Sequence, residues 1–186
     1  MSSSASVGGD ARLRLFLGFR LPDLAARDLA AWQRTELECD RVRVVPVENL
    51  HVTIAFLGSR PAHEIDRIAN ALRRAVEDVA APVLTPVGYR ETRSVGMLVL
   101  DDDEGRAARI AENAHRRLAE LGVYEPEKRA WLPHVTVVRF RERPRLSPSV
   151  PELGLVTMSD AAVYMSRLHP TGAQYEVVES VPLGGG

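Results

Sequence analysis

Two short segments of the chain carry the same residue types at the same spacing. The first begins at His51 and reads His-Val-Thr-Ile, and the second begins at His134, 83 residues later, and reads His-Val-Thr-Val. Both are rich in β-branched residues and therefore predict strands. Side chains two residues apart on a strand project from the same face. Each histidine is therefore expected to share a face with the threonine that follows it, Thr53 or Thr136.

Acid–base catalysis is the chemistry that two such strands could support. Imidazole has an unperturbed pKa of about 6.5, so it can donate or accept a proton at neutral pH. With two histidines facing one substrate, one can act as base while the other acts as acid, as hydrolysis of a phosphodiester requires. The threonine hydroxyls could then hold the phosphoryl oxygens. One copy alone would favour a structural role, whereas two copies in equivalent places favour a site.

Arg139 follows the second motif and offers a fork-shaped cation suited to a phosphate. Strict strand alternation places this side chain on the face of Val137, opposite to His134 and Thr136. The guanidinium can then reach the same cleft only from the end of the strand or past a bulge. The sequence leaves both routes open.

A zinc site is the main alternative use for two histidines. Zinc normally takes three or four protein ligands, and neither motif contains Asp, Glu or Cys. The four acids at 101–104 directly precede a predicted helix, where acids cap the first turn and complement the dipole. Cys39 is the only cysteine, which excludes a thiolate cluster and an internal disulfide. We therefore expect no metal and no cofactor, and surface or capping roles for His63, His115 and His169.

The composition is that of an ordinary globular protein. The chain has 186 residues, 45% of them hydrophobic and 26% charged, which is enough to bury a substantial core. The formal net charge of -1 argues against coating nucleic acid through bulk positive charge but allows a local phosphate site. Lys128 is the only lysine, so an ATP-binding P-loop is not expected. Without an apolar signal or spanning run, we expect a cytoplasmic monomer that has no membrane partner.

The elements that must position the motifs follow from the hydrophobic pattern. Period-two alternation and turn residues predict strands over 12–20, 41–45, 51–58, 83–89, 95–100, 134–140, 157–167 and 175–181. Apolar stripes of helical spacing predict helices over 22–38, 61–80 and 105–121. The last two strands are expected to form a closing hairpin.

These elements repeat at the same 83-residue spacing as the motifs. The strand over 14–19 falls on 97–102, and the helix that begins at Pro22 falls on the helix that begins near Gly105. Two copies indicate an internal duplication rather than a solenoid. A pseudo-twofold axis would bring the motif strands together at a central cleft, where ligands commonly bind. We expect one two-lobed domain over 11–183, with flexible tails at 1–10 and 184–186.

The motifs and their surroundings resemble the signatures of the 2H phosphoesterase superfamily. Within it they are most similar to the RNA 2',3'-cyclic phosphodiesterases, formerly described as 2'-5' RNA ligases. The resemblance covers nearly the whole chain and is carried by segments 14–22, 49–58, 133–139, 164–168 and 171–175. The two His-Val-Thr copies, together with Phe-Leu-Gly after the first and Pro before the second, are its most specific parts.

The resemblance implies an α+β fold of two pseudo-symmetric lobes, each an antiparallel sheet with outer helices, around a central cleft. It implies metal-independent hydrolysis of an RNA terminal 2',3'-cyclic phosphate to a 2'-phosphomonoester. His51 and His134 would be the catalytic pair, with His51 as acid toward the 3'-oxygen and His134 as base toward water. Thr53, Thr136 and Arg139 would bind the phosphoryl group.

The chain departs from this family in its central strand. Relatives often have Pro-Arg and Trp there, whereas residues 92–93 and 97–99 read Thr-Arg and Met-Leu-Val. Phe56, Trp131 and Tyr89 are then the candidates for stacking on a base. The alternative functions are a phosphodiesterase for 2'-5' oligonucleotides or small cyclic nucleotides, 2'-5' RNA ligation as a reverse activity, and a non-catalytic RNA 3'-end module that uses the arginines at 139, 141, 143 and 145.

Overall fold

The computed structural model describes residues 11–184, which contain nine β-strands and three α-helices. Strands β1 to β9 span Arg12–Arg20, Arg43–Val44, His51–Pro61, Val83–Glu91, Val95–Asp101, His134–Arg139, Val156–Thr157, Asp160–His169 and Gly172–Pro182. Helices α1 to α3 span Asp23–Glu36, Ile65–Val76 and Arg106–Glu120. The tails predicted to be flexible lie outside the described residues, apart from Gly184.

The strands form one antiparallel sheet that has two halves. Eight strands lie in the order β7-β4-β5-β6-β3-β1-β8-β9, and β2 pairs with the end of β6. The halves β7-β4-β5-β6 and β3-β1-β8-β9 meet where β6 pairs with β3. That junction is a single residue pair, Val52 with Val135. The predicted α+β fold is confirmed, and the sheets of its two lobes are joined edge to edge at the motif strands.

The element boundaries follow the internal repeat. Helix α1 begins at Asp23 and α3 at Arg106, while β3 begins at His51 and β6 at His134, so both pairs are 83 residues apart. Strands β1 and β5, which the repeat also relates, lie directly beside β3 and β6. The duplication therefore places the two motif strands next to each other at the centre of the sheet.

The core lies between the sheet and helices α2 and α3. These helices pack against each other, with α3 also against β3 and α2 against β8. Their stripes of buried residues agree with the predicted periodicity and include Ile68, Ala69, Leu72, Ile110, Ala111, Ala114 and Leu118. None of the helices within residues 11–184 has the length and apolar character needed to cross a membrane.

Local chemistry decides where α2 and α3 end and begin. The predicted second helix stops early, at Val76, because Glu77 is extended with ψ 136° and Asp78 has φ 61°. At the start of α3, the Asp102 carboxylate accepts hydrogen bonds from the backbone N–H groups of Ala107 and Ala108, at 3.3 and 2.8 Å. Of the four acids predicted to cap this helix, Asp102 is the one that binds its first turn.

Candidate active site

The central pair Val52–Val135 places both motifs on one side of the sheet. The two valine side chains are 0% and 1% exposed and belong to the core. Their neighbours on each strand therefore project from the opposite face. We call this side the reactive face. It carries the four predicted motif residues, all partly buried: His51, Thr53, His134 and Thr136.

The two imidazoles are held in the same way. His51 Nδ1 lies 2.7 Å from the carbonyl oxygen of Asn49, and His134 Nδ1 lies 2.8 Å from that of Leu132. A carbonyl oxygen only accepts hydrogen bonds, so Nδ1 must carry the hydrogen and the neutral ring has its lone pair on Nε2. The Nε2 atoms are therefore the ones available for proton transfer.

His51 sits in a more enclosed environment than its counterpart. Its Nε2 atom lies 3.0 Å from Thr53 Oγ1, which donates to it while the ring is neutral. Gly18 leaves room for the imidazole, because a Cβ atom at that position would lie 3.2 Å from His51 Cδ2. Three aromatic rings surround His51, with centroids 4.8, 5.6 and 5.4 Å from its own: Phe16, Tyr164 and Tyr175.

This environment lowers the pKa of His51 to about 4. Desolvation by burial is the largest cause, because it disfavours the charged imidazolium. The hydrogen bond to the Asn49 carbonyl acts in the opposite direction, and the positive charges of His134 and Arg139 lower the pKa further. His51 is therefore neutral at pH 7, with an Nε2 atom that can accept a proton.

A β-bulge in each motif strand changes which side chains reach the reactive face. In β3 the pairing with β1 skips Ile54, and in β6 the pairing with β5 skips Val137. The two skipped residues are equivalent in the repeat. An extra residue in one strand reverses the alternation of the side chains beyond it. Phe56 and Arg139 therefore project from the reactive face, although strict alternation assigns them to the other.

The bulge in β6 decides how Arg139 reaches the site. Thr136 pairs with Met97 and Arg139 pairs with Val95, so the partners lie two residues apart on β5 and share a face. The Arg139 side chain is exposed, and its charge acts on His51. Of the two routes that the sequence left open, the guanidinium takes the one past a bulge.

Phe56 occupies in β3 the place that Arg139 occupies in β6. Its side chain is 67% exposed, and its ring centroid lies 5.9 Å from that of Phe16. The other two stacking candidates, Trp131 and Tyr89, pack against the hydrophobic core. Of the three, Phe56 is the one that presents an exposed ring on the reactive face.

Two helix side chains satisfy the carbonyl groups of the bulged residues. Gln33 on α1 donates from Nε2 to the Val137 oxygen, and His115 on α3 donates from Nε2 to the Ile54 oxygen, each at 2.7 Å. Helix α1 of the first repeat copy thus binds β6 of the second copy, and helix α3 of the second copy binds β3 of the first. The surface or capping role expected for His115 is wrong, because its ring is partly buried and bound to β3.

Gln33 and the aromatic residues around His51 also belong to the site, although none of them was predicted as a site residue. A signal existed for Gln33, which lies four residues from Leu29 and from Leu37, on the apolar side of α1 where a polar group needs a partner. Its side chain is 0% exposed. Nε2 also donates to the Val45 carbonyl at 3.1 Å, so two acceptors orient the amide. No comparable signal marks the aromatic residues, which come from β1, β8 and β9.

The other candidate metal ligands lie apart. His63 and His169 are exposed, in agreement with their expected surface roles. Asp102 is engaged at the start of α3. Across residues 11–184, no three His, Cys, Asp or Glu side chains are grouped in a way that could hold a metal ion.

Comparison with known sequences relates the chain to phosphoesterases. A family model described as LigT like Phosphoesterase matches residues 20–85, which include the first motif. An RNA 2',3'-cyclic phosphodiesterase from Methanocaldococcus jannaschii is 22% identical over 175 residues, covering 90% of this chain and 99% of that protein. A protein of the same name from Thermotoga maritima is 26% identical over 152 residues, covering 76% of this chain and 80% of that protein.

Comparison with solved structures relates the fold of the chain to the same group. The crystal structure of E. coli LigT complexed with 3'-AMP is similar with a TM-score of 0.78 and 20% sequence identity. The similarity covers 93% of this chain and 99% of that chain, so it extends over both halves of the sheet.

Proposed function

We propose that the chain is a LigT-like phosphoesterase that hydrolyses the 2',3'-cyclic phosphate at the 3' end of RNA to a 2'-phosphomonoester. The relatives from M. jannaschii and T. maritima are named RNA 2',3'-cyclic phosphodiesterases. The observation that carries the proposal is the pair of imidazoles on the reactive face. In each, a backbone carbonyl holds Nδ1, so Nε2 is the atom left for chemistry.

The cyclic phosphate binds between the two motif strands. Thr136 and Thr53 donate from their hydroxyls to its non-bridging oxygens, and Arg139 adds charge-assisted hydrogen bonds. The Thr53 hydroxyl also donates to His51 Nε2. When that hydroxyl turns to the phosphate, the Nε2 lone pair becomes available to a water molecule.

We assign the base role to His51 and the acid role to His134. Because burial lowers the pKa of His51 to about 4, this imidazole is neutral at pH 7 and can take a proton from water. The water oxygen bonds to phosphorus while the bond from phosphorus to the 3'-oxygen breaks, and the water proton passes to His51 Nε2. Protonated His134 gives its Nε2 proton to the departing 3'-oxygen. These roles are the reverse of those implied by the family resemblance.

Phosphorus NMR with nucleoside 2',3'-cyclic phosphates tests the activity. We expect the resonance of a 2'-monoester to grow at a rate that excess chelator does not change, because protein side chains supply both proton transfers. A 3'-monoester would show that the 2'-oxygen leaves, which contradicts the proposal. Loss of activity in chelator would contradict the two-histidine mechanism.

The same assay separates the alternative functions. A cyclic-ended oligonucleotide, a 2'-5'-linked dinucleotide and a 3',5'-cyclic nucleotide are added to the panel. Faster cleavage of either of the last two would favour a related phosphodiesterase. A protein that binds the cyclic-ended oligonucleotide but leaves its phosphate closed would be a non-catalytic RNA-end module. Joined products from 5'-hydroxyl and cyclic-ended fragments would reveal the reverse ligation.

A further inference from the structure

A cavity rich in arginine lies at the edge of the sheet where β2 pairs with β6. It has a volume of about 610 Å³ and is lined by residues 40–43 and 139–142. We call it the arginine cavity because half of its lining residues are arginines: Arg41, Arg43, Arg139 and Arg141. Arg139 also belongs to the reactive face, so the two regions are adjacent.

Positive charges outnumber negative charges among the residues that line this cavity. In the part of the chain that the structure describes, none of the four arginines forms an ion pair with a carboxylate. Asp40 and Glu142 also line the cavity, which leaves two positive charges in excess. Arg43 and Arg139 are direct cross-strand partners, and like charges in this arrangement repel each other. A bound anion would remove that repulsion.

The next arginines along the chain, Arg143 and Arg145, lie in a loop that a carboxylate binds. Arg143 donates to the carboxylate of Glu91 at 3.0 Å, and the same carboxylate accepts from the backbone N–H groups of Arg145 and Leu146. Glu91 therefore fixes this loop and neutralises Arg143. The arginine-rich segment considered for RNA binding is thus divided, because its first half lines the cavity and its second half is bound to Glu91.

A smaller pocket adjoins the arginine cavity and is lined by two residues that contact His51. Its volume is about 70 Å³, and it shares Arg43 and Arg139 with the cavity. Its lining includes Asn49, whose carbonyl holds His51, and Tyr175, whose ring lies edge-on to His51 at 5.4 Å. Because Arg139 belongs to both regions, an anion in the arginine cavity would lie next to the reactive face.

We propose that the arginine cavity binds the phosphodiester group that precedes the terminal nucleotide of an RNA substrate. The inference rests on the proposed function, which places the terminal cyclic phosphate at the histidine pair. A guanidinium can donate to two phosphate oxygens at once, and Arg41 and Arg141 are exposed to receive them. Substrates of two or more nucleotides therefore gain contacts that a mononucleotide cannot make.

Substrate length is the quantity that tests this inference. We compare kcat/KM for adenosine 2',3'-cyclic phosphate with that for an oligoadenylate ending in the same group, in wild type, Arg41→Gln, Arg141→Gln and the double variant. We expect wild type to prefer the oligonucleotide roughly 10- to 100-fold, as one or two charge-assisted hydrogen bonds would give. The double variant should lose this preference and keep its activity on the mononucleotide.

Arg143→Gln is the matched control, because this arginine lies in the same segment but is neutralised by Glu91. It should keep the wild-type preference for length. The salt dependence of oligonucleotide binding should fall by about one unit of log–log slope when one phosphate contact is removed from the cavity. Equal kcat/KM values for both substrates in wild type, or equal losses on both in the double variant, would overturn the inference.

A binding measurement separates failure of the inference from failure of the proposed function. Fluorescence anisotropy measures the affinity for a labelled oligoadenylate ending in a 2'-phosphate, in competition with adenosine 2'-monophosphate. If the wild-type protein hydrolyses nothing, the proposed function fails, yet a tighter oligonucleotide complex that needs Arg41 and Arg141 still supports the cavity. If the two ligands bind equally and the variants change neither affinity, the cavity is not an RNA site.

Discussion

The two motif strands have the same backbone arrangement but differ in the residues that surround their histidines. In both, a carbonyl two residues before the histidine binds Nδ1, a bulge follows the threonine, and a helix side chain binds the bulged carbonyl. Aromatic rings enclose His51, whereas no ring in the described part of the chain packs on His134. Beyond the bulge, β3 presents Phe56 and β6 presents Arg139.

This comparison shows how a duplicated backbone can serve two different tasks. Regular alternation ahead of the bulges places the same two groups on each strand, a threonine hydroxyl and an imidazole Nε2. The neighbouring strands then set the polarity around each copy. Desolvation on the β3 side keeps His51 neutral, and Phe56 is exposed on the same strand. The β6 side instead presents the exposed cation Arg139.

Replacing the histidines should produce the largest effects. His51→Gln and His134→Gln should each lower kcat/KM by roughly 10²- to 10⁴-fold, since each removes one proton transfer. The pH dependence of wild-type kcat/KM tests the environment of His51. Because one imidazole must be neutral while the other is protonated, kcat/KM should be bell-shaped, and the limb that His51 sets should lie near pH 4. A rate that rose about tenfold per pH unit between about 5 and 6 would show that the pKa of His51 is not lowered.

Substitutions of Arg139 and Phe56, which lie beyond the bulges, should separate phosphate binding from base binding. Arg139→Gln should weaken inorganic phosphate and adenosine 2'-monophosphate alike, by roughly 10- to 100-fold, because it removes charge-assisted hydrogen bonds. Phe56→Ala should weaken only the nucleotide, by about 1–3 kcal/mol if a base stacks on the ring. Titration calorimetry with both ligands measures the difference. If Phe56→Ala weakened both ligands equally, the proposed division between base binding at β3 and phosphate binding at β6 would be wrong.

Replacing the helix side chains that donate to the bulged carbonyls should have the smallest effects. Gln33 suggests the matched control substitution for His115. His115→Leu leaves the bulged carbonyl of Ile54 without its donor and should cost about 1–3 kcal/mol of unfolding free energy. His115→Gln should keep most of that stability, because Gln33 performs the same task on β6. Urea denaturation measures both variants. If His115→Gln were as destabilising as His115→Leu, the ring would matter for its packing against Tyr124 instead.

Gln33 should affect catalysis mainly through Arg139, the side chain that the bulge at Val137 positions. In a double-mutant cycle, Gln33→Leu should lower kcat/KM less in the Arg139→Gln background than in wild type, because the two residues are coupled. Fully additive losses would indicate a general loss of stability. Cross-strand NOEs between Val95 and Arg139 give a reading that needs no substrate, since a regular strand would pair Val95 with Val138 instead.

Much of the fold could be predicted because it depends on local patterns. Alternation predicted β1 over the residues that the structure assigns, and helical stripes located all three helices to within a few residues. The repeat predicted that the motif strands would lie together. Helix α2 ended early because the conformations of Glu77 and Asp78 broke its last turn, which apolar spacing does not reveal.

The parts of the site that escaped prediction depend on contacts between distant segments. Consecutive buried residues at Ile54-Ala55 and Val137-Val138 are the trace of the bulges, but a pair of apolar residues also fits a regular buried strand. The role of His115 depends on a carbonyl 61 residues away. Two of the three rings around His51, those of Tyr164 and Tyr175, come from strands near the other end of the chain.

The sequence by itself determined that two strands would each carry a histidine and a threonine on one face, because side-chain alternation is a local property of a strand. It also determined that the two strands would be equivalent, through the repeat. Only the tertiary structure decided that Arg139 joins them, because a bulge is defined by the pairing with a neighbouring strand. It alone decided that His51 is neutral, since desolvation depends on residues brought together from across the chain. It also decided which arginines of residues 11–184 have no carboxylate as an ion-pair partner.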